Sequence, residues 1–150
     1  MKPTKKRLLA VAVLISMVSA LGFVLAFVFQ WPSHFVLGDV EDSRVTLQDL
    51  VAGTPASIPL TPWAVLVVAT LLASSRRWWG TIGVVVLGLL GMVFVLGGWG
   101  EVFGPSNPHV PRLVLAACGV VYGLLGLSLS LCAVLDLIGR VRIGRAKARG

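Results

Sequence analysis

The sequence predicts an all-α integral membrane protein: a four-helix bundle with both termini cytoplasmic and a short element in the outer loop between its first two spans. Three observations carry that prediction. Four long apolar runs fill a chain of 150 residues, Lys and Arg cluster at alternate ends of those runs, and the tryptophans sit at run boundaries. With 57% hydrophobic and 13% charged residues and a mean hydropathy of +0.93, too little polar surface remains to cover a water-facing globule. A single membrane domain over residues 1–150 is expected.

The first run, Leu8–Phe29, is 22 residues long. As a helix it extends about 33 Å, enough for a hydrocarbon core of about 30 Å. Lys5, Lys6 and Arg7 precede it. This start has the form of a signal peptide, and Val18-Ser19-Ala20 fits a cleavage site. The apolar run continues for nine residues beyond Ala20, so an uncleaved anchor is expected.

The second span is assigned to 62–77, with Thr61 as N-cap, Pro62 at N1, and Arg76 and Arg77 closing it. It is the weakest of the four. The third span, 78–99, begins directly after that arginine pair, so spans two and three form an antiparallel hairpin with a tight inner turn. The fourth, 113–138, is introduced by Pro111 and closed by Gly139 and a basic tail over 139–150.

The net charge is +7, and nine of the 13 Lys and Arg residues lie in the two terminal tails. Counted by segment, Lys and Arg number four, one, two, one and five. The positive-inside rule then places the N-terminus, the Arg76-Arg77 turn and the C-terminus in the cytoplasm of a plasma-membrane protein. Lys5, Lys6, Arg7, Arg76, Arg77, Arg140, Arg142 and Arg145 are the residues expected to meet anionic headgroups, at roughly 1 kcal/mol per charge. No aromatic stacking platform accompanies the basic tail, and nucleic acid is not expected as a partner. Trp31, Trp63 and Trp99 fall at predicted outer boundaries and Trp78 and Trp79 at an inner one, where an indole satisfies both its ring and its N–H.

The outer loop, 30–61, contains Ser43 to Gly53, which reads as a short helix. Thr46 and Asp49 have capping-box spacing, Gly53 is placed at C′, and Pro55 follows. The competing reading is a strand over Arg44 to Leu47. About thirty residues bury little core by themselves, so this loop is expected to pack on the membrane surface or on a partner. The second outer loop, 100–111, is rich in Gly, Pro and Asn and reads as irregular.

The sharpest pattern lies in the fourth span. Ala116, Gly119, Gly123, Gly126, Ser130 and Ala133 alternate three and four positions apart. They form a small-residue seam of the kind along which helices associate in lipid. The third span offers Gly88, Gly91 and Gly98, and the first Ala12, Ser16, Ser19 and Ala26. These seams either pack the bundle internally or present an oligomer face, to a second copy or to another membrane protein. Behind the fourth-span seam runs a stripe containing Cys118, Tyr122, Cys132 and Asp136. Tyr122 and Asp136 are its intramembrane polar candidates. Asp136 lies near the span end with Arg140 four positions on, which predicts an i,i+4 ion pair. The two cysteines are about 21 Å apart along a helix, too far for a disulfide.

His34 and His109, with nearby loop acids, are candidate metal ligands. They lack any tight ligand spacing, so neither a metal nor another cofactor is expected. The sequence contains no plausible Ser, His and Asp set and no glycine-rich phosphate loop. In span count the chain resembles small multidrug transporters, but Leu8–Phe29 lacks the membrane glutamate they need. In size it resembles disulfide-generating four-helix enzymes, but lacks their outward cysteine pairs. The claudin-like Trp and paired-Cys signature is also missing from the first outer loop. A likeness in layout to small four-span proteins of high-GC bacteria remains, suggested by Val, Leu, Gly and Arg richness, and it implies no site. The function expected is that of a non-enzymatic accessory or scaffold subunit. A transporter or channel using the polar stripe comes next, and a metal-dependent outer-face enzyme third.

Overall fold

The computed structural model describes residues 3–31, 45, 47–75, 78–103 and 110–147. Its elements are α1 (Pro3–Phe29), α2 (Leu47–Ala52), α3 (Leu60–Ser74), α4 (Trp79–Phe103) and α5 (Arg112–Lys147). Three of these helices are long and apolar enough to cross a membrane, over Lys5–Phe29, Trp79–Phe103 and Arg112–Arg142. Each buries only a stripe of its surface. On α1 that stripe is Leu8, Ala12, Ile15, Ser19, Gly22 and Ala26, at alternating spacings of four and three. The rest of α1 exposes Met17, Leu21, Val24 and Val28, each 55% or more accessible. A helix that is apolar all round but covered on one side suits a surrounding of lipid.

α5 packs most extensively on α4; α3 also lies on α4, and α1 bridges α5 and α3 with a thinner contact on α3. Ile15, Leu66, Leu87 and Leu129 fill the centre with almost no exposure. Lys5 Nζ donates to the Ser74 carbonyl, and Arg140 Nη2 donates to the Ala73 carbonyl at 3.1 Å. The start of α1 and the far part of α5 therefore share one end of the assembly with the last turn of α3. We call this the termini end and the opposite one the loop end.

The helix ends depart from the sequence reading in two places. α3 starts at Leu60 with Pro59 as N-cap, not at Pro62 after Thr61. Its first backbone bond runs from Trp63 N–H to the Pro59 carbonyl. Pro62 lies upstream of that bond, where an N–H has no intrahelical partner, so proline is accommodated two positions later than N1. Nor does Gly139 close the last helix, since α5 continues to Lys147. A glycine costs a helix only about 1 kcal/mol, and Arg140, Arg142, Arg145, Ala146 and Lys147 after it are good helix formers.

α1 ends in a Schellman turn, with Trp31 N–H bonded to the Ala26 carbonyl at 2.8 Å. Its C′ residue is Gln30, at φ 55°, a conformation that usually calls for glycine. The Gln30 side chain compensates. Its amide donates to the Phe27 carbonyl at 2.6 Å and accepts from Val45 N–H at 3.0 Å, which ties the returning chain to the end of α1. α2 is shorter than the expected loop helix, and Gly53 follows it at φ 83° as the C′ residue. Thr46 of the expected capping box lies outside the described residues, as do Arg76, Arg77, His34 and His109.

α3 has 15 residues, a rise of about 22 Å against the ~30 Å of a hydrocarbon core. It runs antiparallel to α1 from the level of Ser19 to that of Lys5. Trp63 consequently stands level with the middle of α1 rather than at its outer boundary. Beside Ser19 and Gly22, α1 is met instead by the segment after α2. Gly53 to Ile58 are all buried, so this stretch inserts between helices instead of lying on a surface.

Candidate functional site

The α5 seam and the α4 glycine stripe meet face to face. A side chain on Gly98 would collide with the Gly119 carbonyl and with the backbone of Gly123. One on Gly91 would stand 2.6 Å from the Gly126 carbonyl. Ser130 Oγ donates to the Gly88 carbonyl at 3.0 Å, and a side-chain carbon at Gly88 would meet Ala133 Cβ at an ordinary 3.4 Å. Gly119, Gly123, Gly126, Ser130 and Ala133 are buried by this contact and Ala116 is half-buried. Glycine lets the backbones approach, and dispersion with one interhelical hydrogen bond holds them. α4 uses two further glycines, Gly80 and Gly83, against Ser75 and Ala69 of the preceding hairpin arm.

The inserted segment meets α1 just as closely, but in a different way. A side chain on Gly22 would overlap the Ala56 carbonyl. Because 53–58 is not helical, its backbone groups need partners from elsewhere. Ile58 N–H donates to Ser19 Oγ at 3.0 Å. The Ala56 carbonyl accepts from Tyr122 Oη at 2.9 Å. Thr54 N–H donates to Ser57 Oγ at 3.1 Å, and the two hydroxyls bond each other at 2.8 Å. The segment thereby becomes a plug beside Ser19 and Gly22 of α1, hydrogen-bonded to α1 and α5 and within itself. Asp49, in the first turn of α2, is also buried, at 3% exposure.

Between this plug, the loop-end half of α4 and Tyr122 of α5 lies a cavity of about 310 Å³. Its walls include Ile58, Phe94, Gly97 and Tyr122, with Glu101 also lining it. Glu101 is half-buried and stands in the last turn of α4. A second recess, a groove of about 340 Å³, runs between α1 and α3 along Ala12, Ser16, Ala20, Leu66 and Thr70. Ser16 and Thr70 each turn their hydroxyl back onto their own helix, at the Ala12 and Leu66 carbonyls, leaving the groove apolar.

The polar stripe of α5 is divided. Tyr122 serves the inserted segment at one level. At the other, Asp136 is buried and its carboxylate pairs with Arg140 Nε at 2.6 Å. Leu129, fully buried, stands between them. Arg140 uses its second arm on the α3 carbonyl described above, so it joins α5 to α3 as well as holding Asp136. Cys118 and Cys132 are half-buried free thiols. Lys6, Arg7 and Arg142 are exposed and Lys5 half-buried; the Arg145 side chain lies outside the described residues. At helix ends the aromatics stack in pairs, Phe29 on Trp31, Trp78 on Trp79 and Trp99 on Phe103.

Sequence reasoning did not single out Gln30, Gly22 or Asp49 as site residues, it placed Glu101 only among the loop acids near His34 and His109, and it read Ser19 only as a small residue. Gly22 and Ser19 meet partners far away in sequence, Ala56 and Ile58, and the one local signal was the shortness of the second span. No family model matches this chain, and comparison with known proteins and with solved structures likewise gives no match.

Proposed function

We propose that this protein is a non-enzymatic accessory subunit of the plasma membrane, crossing the bilayer with both termini cytoplasmic and associating laterally with another membrane protein. The observation that carries the reading is a contrast between two small-residue faces. That of α5 is covered by α4 within the chain. That of α1 is only partly covered: Ala12 is buried, but Ser16 is half-buried and Ala20 exposed, each four positions from the next along the groove beside α3. Small residues at this spacing let a neighbouring helix approach closely in lipid. The thin contact between α1 and α3 leaves that face accessible from the bilayer. The basic residues at the termini end, Lys6, Arg7 and Arg142 among them, fit contact with anionic headgroups.

The transporter reading is weaker, because Tyr122 and Asp136 are each engaged and Leu129 separates them. Affinity purification from native membranes, followed by size determination in mild detergent, tests the proposal. A stoichiometric partner or second copy is expected, and Ala20→Leu, which fills the groove, should release it. A wild-type protein that purifies strictly monomeric and alone contradicts the reading.

A further inference from the structure

We infer that the cavity between the 53–58 segment, α4 and α5 is a binding site for a small lipophilic cation, an amine or quaternary ammonium group on an apolar body. The inference does not depend on the association proposed above, which concerns the groove between α1 and α3. At about 310 Å³ the cavity falls at the lower end of the size range of small-molecule sites. Its shape is maintained by a built wall. Tyr122 Oη, Ser57 Oγ and Thr54 Oγ1 all have hydrogen-bond partners, and no buried side-chain polar atom among the described residues lacks one. The lining is therefore apolar in effect and suited to a hydrocarbon body.

One group breaks that rule. Glu101 lines the cavity, and its carboxylate is engaged in no hydrogen bond or ion pair within the described part of the structure. It also lies in the last turn of α4, where the aligned peptide dipoles of the helix add partial negative charge. Two sources of negative potential thus meet an apolar pocket, and a low-dielectric wall strengthens their effect. Phe94 and Tyr122 supply aromatic surface that a cation also favours. An anion would be repelled and an uncharged molecule would gain at most a hydrogen bond from Glu101, so the occupant these features favour most carries positive charge.

The test uses the full-length protein in an uncharged detergent, with benzyltrimethylammonium as the probe and its neutral carbon analogue neopentylbenzene as competitor. Saturable binding of the cation is expected by equilibrium dialysis, and neopentylbenzene should fail to displace it at equal concentration. Glu101→Gln should weaken binding by about tenfold, or ~1.4 kcal/mol. Gly97→Leu tests the position of the site separately. A side-chain carbon there meets no atom within 4 Å, so the variant should keep its thermal midpoint while blocking the probe. The inference is overturned if the probe partitions as it does into empty micelles, if Glu101→Gln binds as tightly as wild type, if neopentylbenzene competes equally, or if Gly97→Leu binds normally.

Discussion

The α4–α5 interface and the contact of the 53–58 segment with α1 solve the same problem in opposite ways. Both bring two backbones together at glycine, Gly91 and Gly98 in one and Gly22 in the other. Between α4 and α5 both partners are helical, so their N–H and C=O groups are already paired and the contact needs little beyond shape. At α1 only one partner is helical. The other has backbone groups that would each cost on the order of 1–3 kcal/mol if buried unpaired, and Ser19 and Tyr122 take two of them, Ile58 N–H and the Ala56 carbonyl. The comparison teaches that an irregular segment can insert between apolar helices only where the helices around it present hydroxyls at matching heights.

The largest effect should come from the helix pair. Gly91→Leu places atoms against the Gly126 carbonyl and the Ser130 backbone, neither of which can move without separating the helices. A loss of about 3 kcal/mol or more is expected, read as a collapse of the thermal midpoint in detergent. If Gly91→Leu melts normally, α4 and α5 are not paired as described.

Gly22→Ala should cost less, about 1–3 kcal/mol, because the inserted segment can be pushed aside without separating long helices. The comparison predicts a local signature: amide protection lost over 53–58 but retained in α4 and α5. Uniform loss in all helices would mean that the segment is integral to the whole core rather than a plug.

Ser19→Ala removes the acceptor of Ile58 N–H and keeps the helix and its packing. A cost of about 1–2 kcal/mol is expected, measured as a shift in the chemical denaturation midpoint. An unchanged midpoint would mean that another group, or water, satisfies that amide.

The smallest effects distinguish glycines that sequence spacing treats as equivalent. Gly119 and Gly123 form one GxxxG pair, yet a side-chain carbon on Gly119 collides with the Gly98 carbonyl while one on Gly123 meets nothing within 4 Å. Gly119→Ala should destabilise the protein, whereas Gly123→Ala should be neutral or slightly stabilising. Gly139→Ala, equally free of neighbours and inside a continuous helix, should stabilise by up to about 1 kcal/mol. Equal penalties at Gly119 and Gly123 would count against the rotation of α5 described here.

The sequence was most informative where the signal is local and periodic. The long apolar runs around Leu8–Phe29, Trp78–Trp99 and Leu113–Ile138 mark the three longest helices, and the pairing of Asp136 with Arg140 follows from their i,i+4 spacing. The seam on α5 was visible as a pattern, but not its partner, since both an internal neighbour and an external one want small residues. The inserted segment was not visible. Gly53-Thr54-Pro55-Ala56-Ser57 has the composition of an exposed turn, and nothing local says that Ser19, 39 residues before Ile58, or Tyr122, 66 residues after Ala56, will complete its hydrogen bonds. Likewise, Glu101 reads as a loop acid until the cavity beside it is seen.

Hydrogen exchange at the Ile58 amide in lipid nanodiscs tests the insertion most directly. The amide should be as protected as those in the middle of α1, and Ser19→Ala should speed its exchange while leaving α4 and α5 unchanged. Exchange at the rate of an open loop in the wild-type protein would place 53–58 outside the helices and remove the basis for the plug and for the cavity beside it.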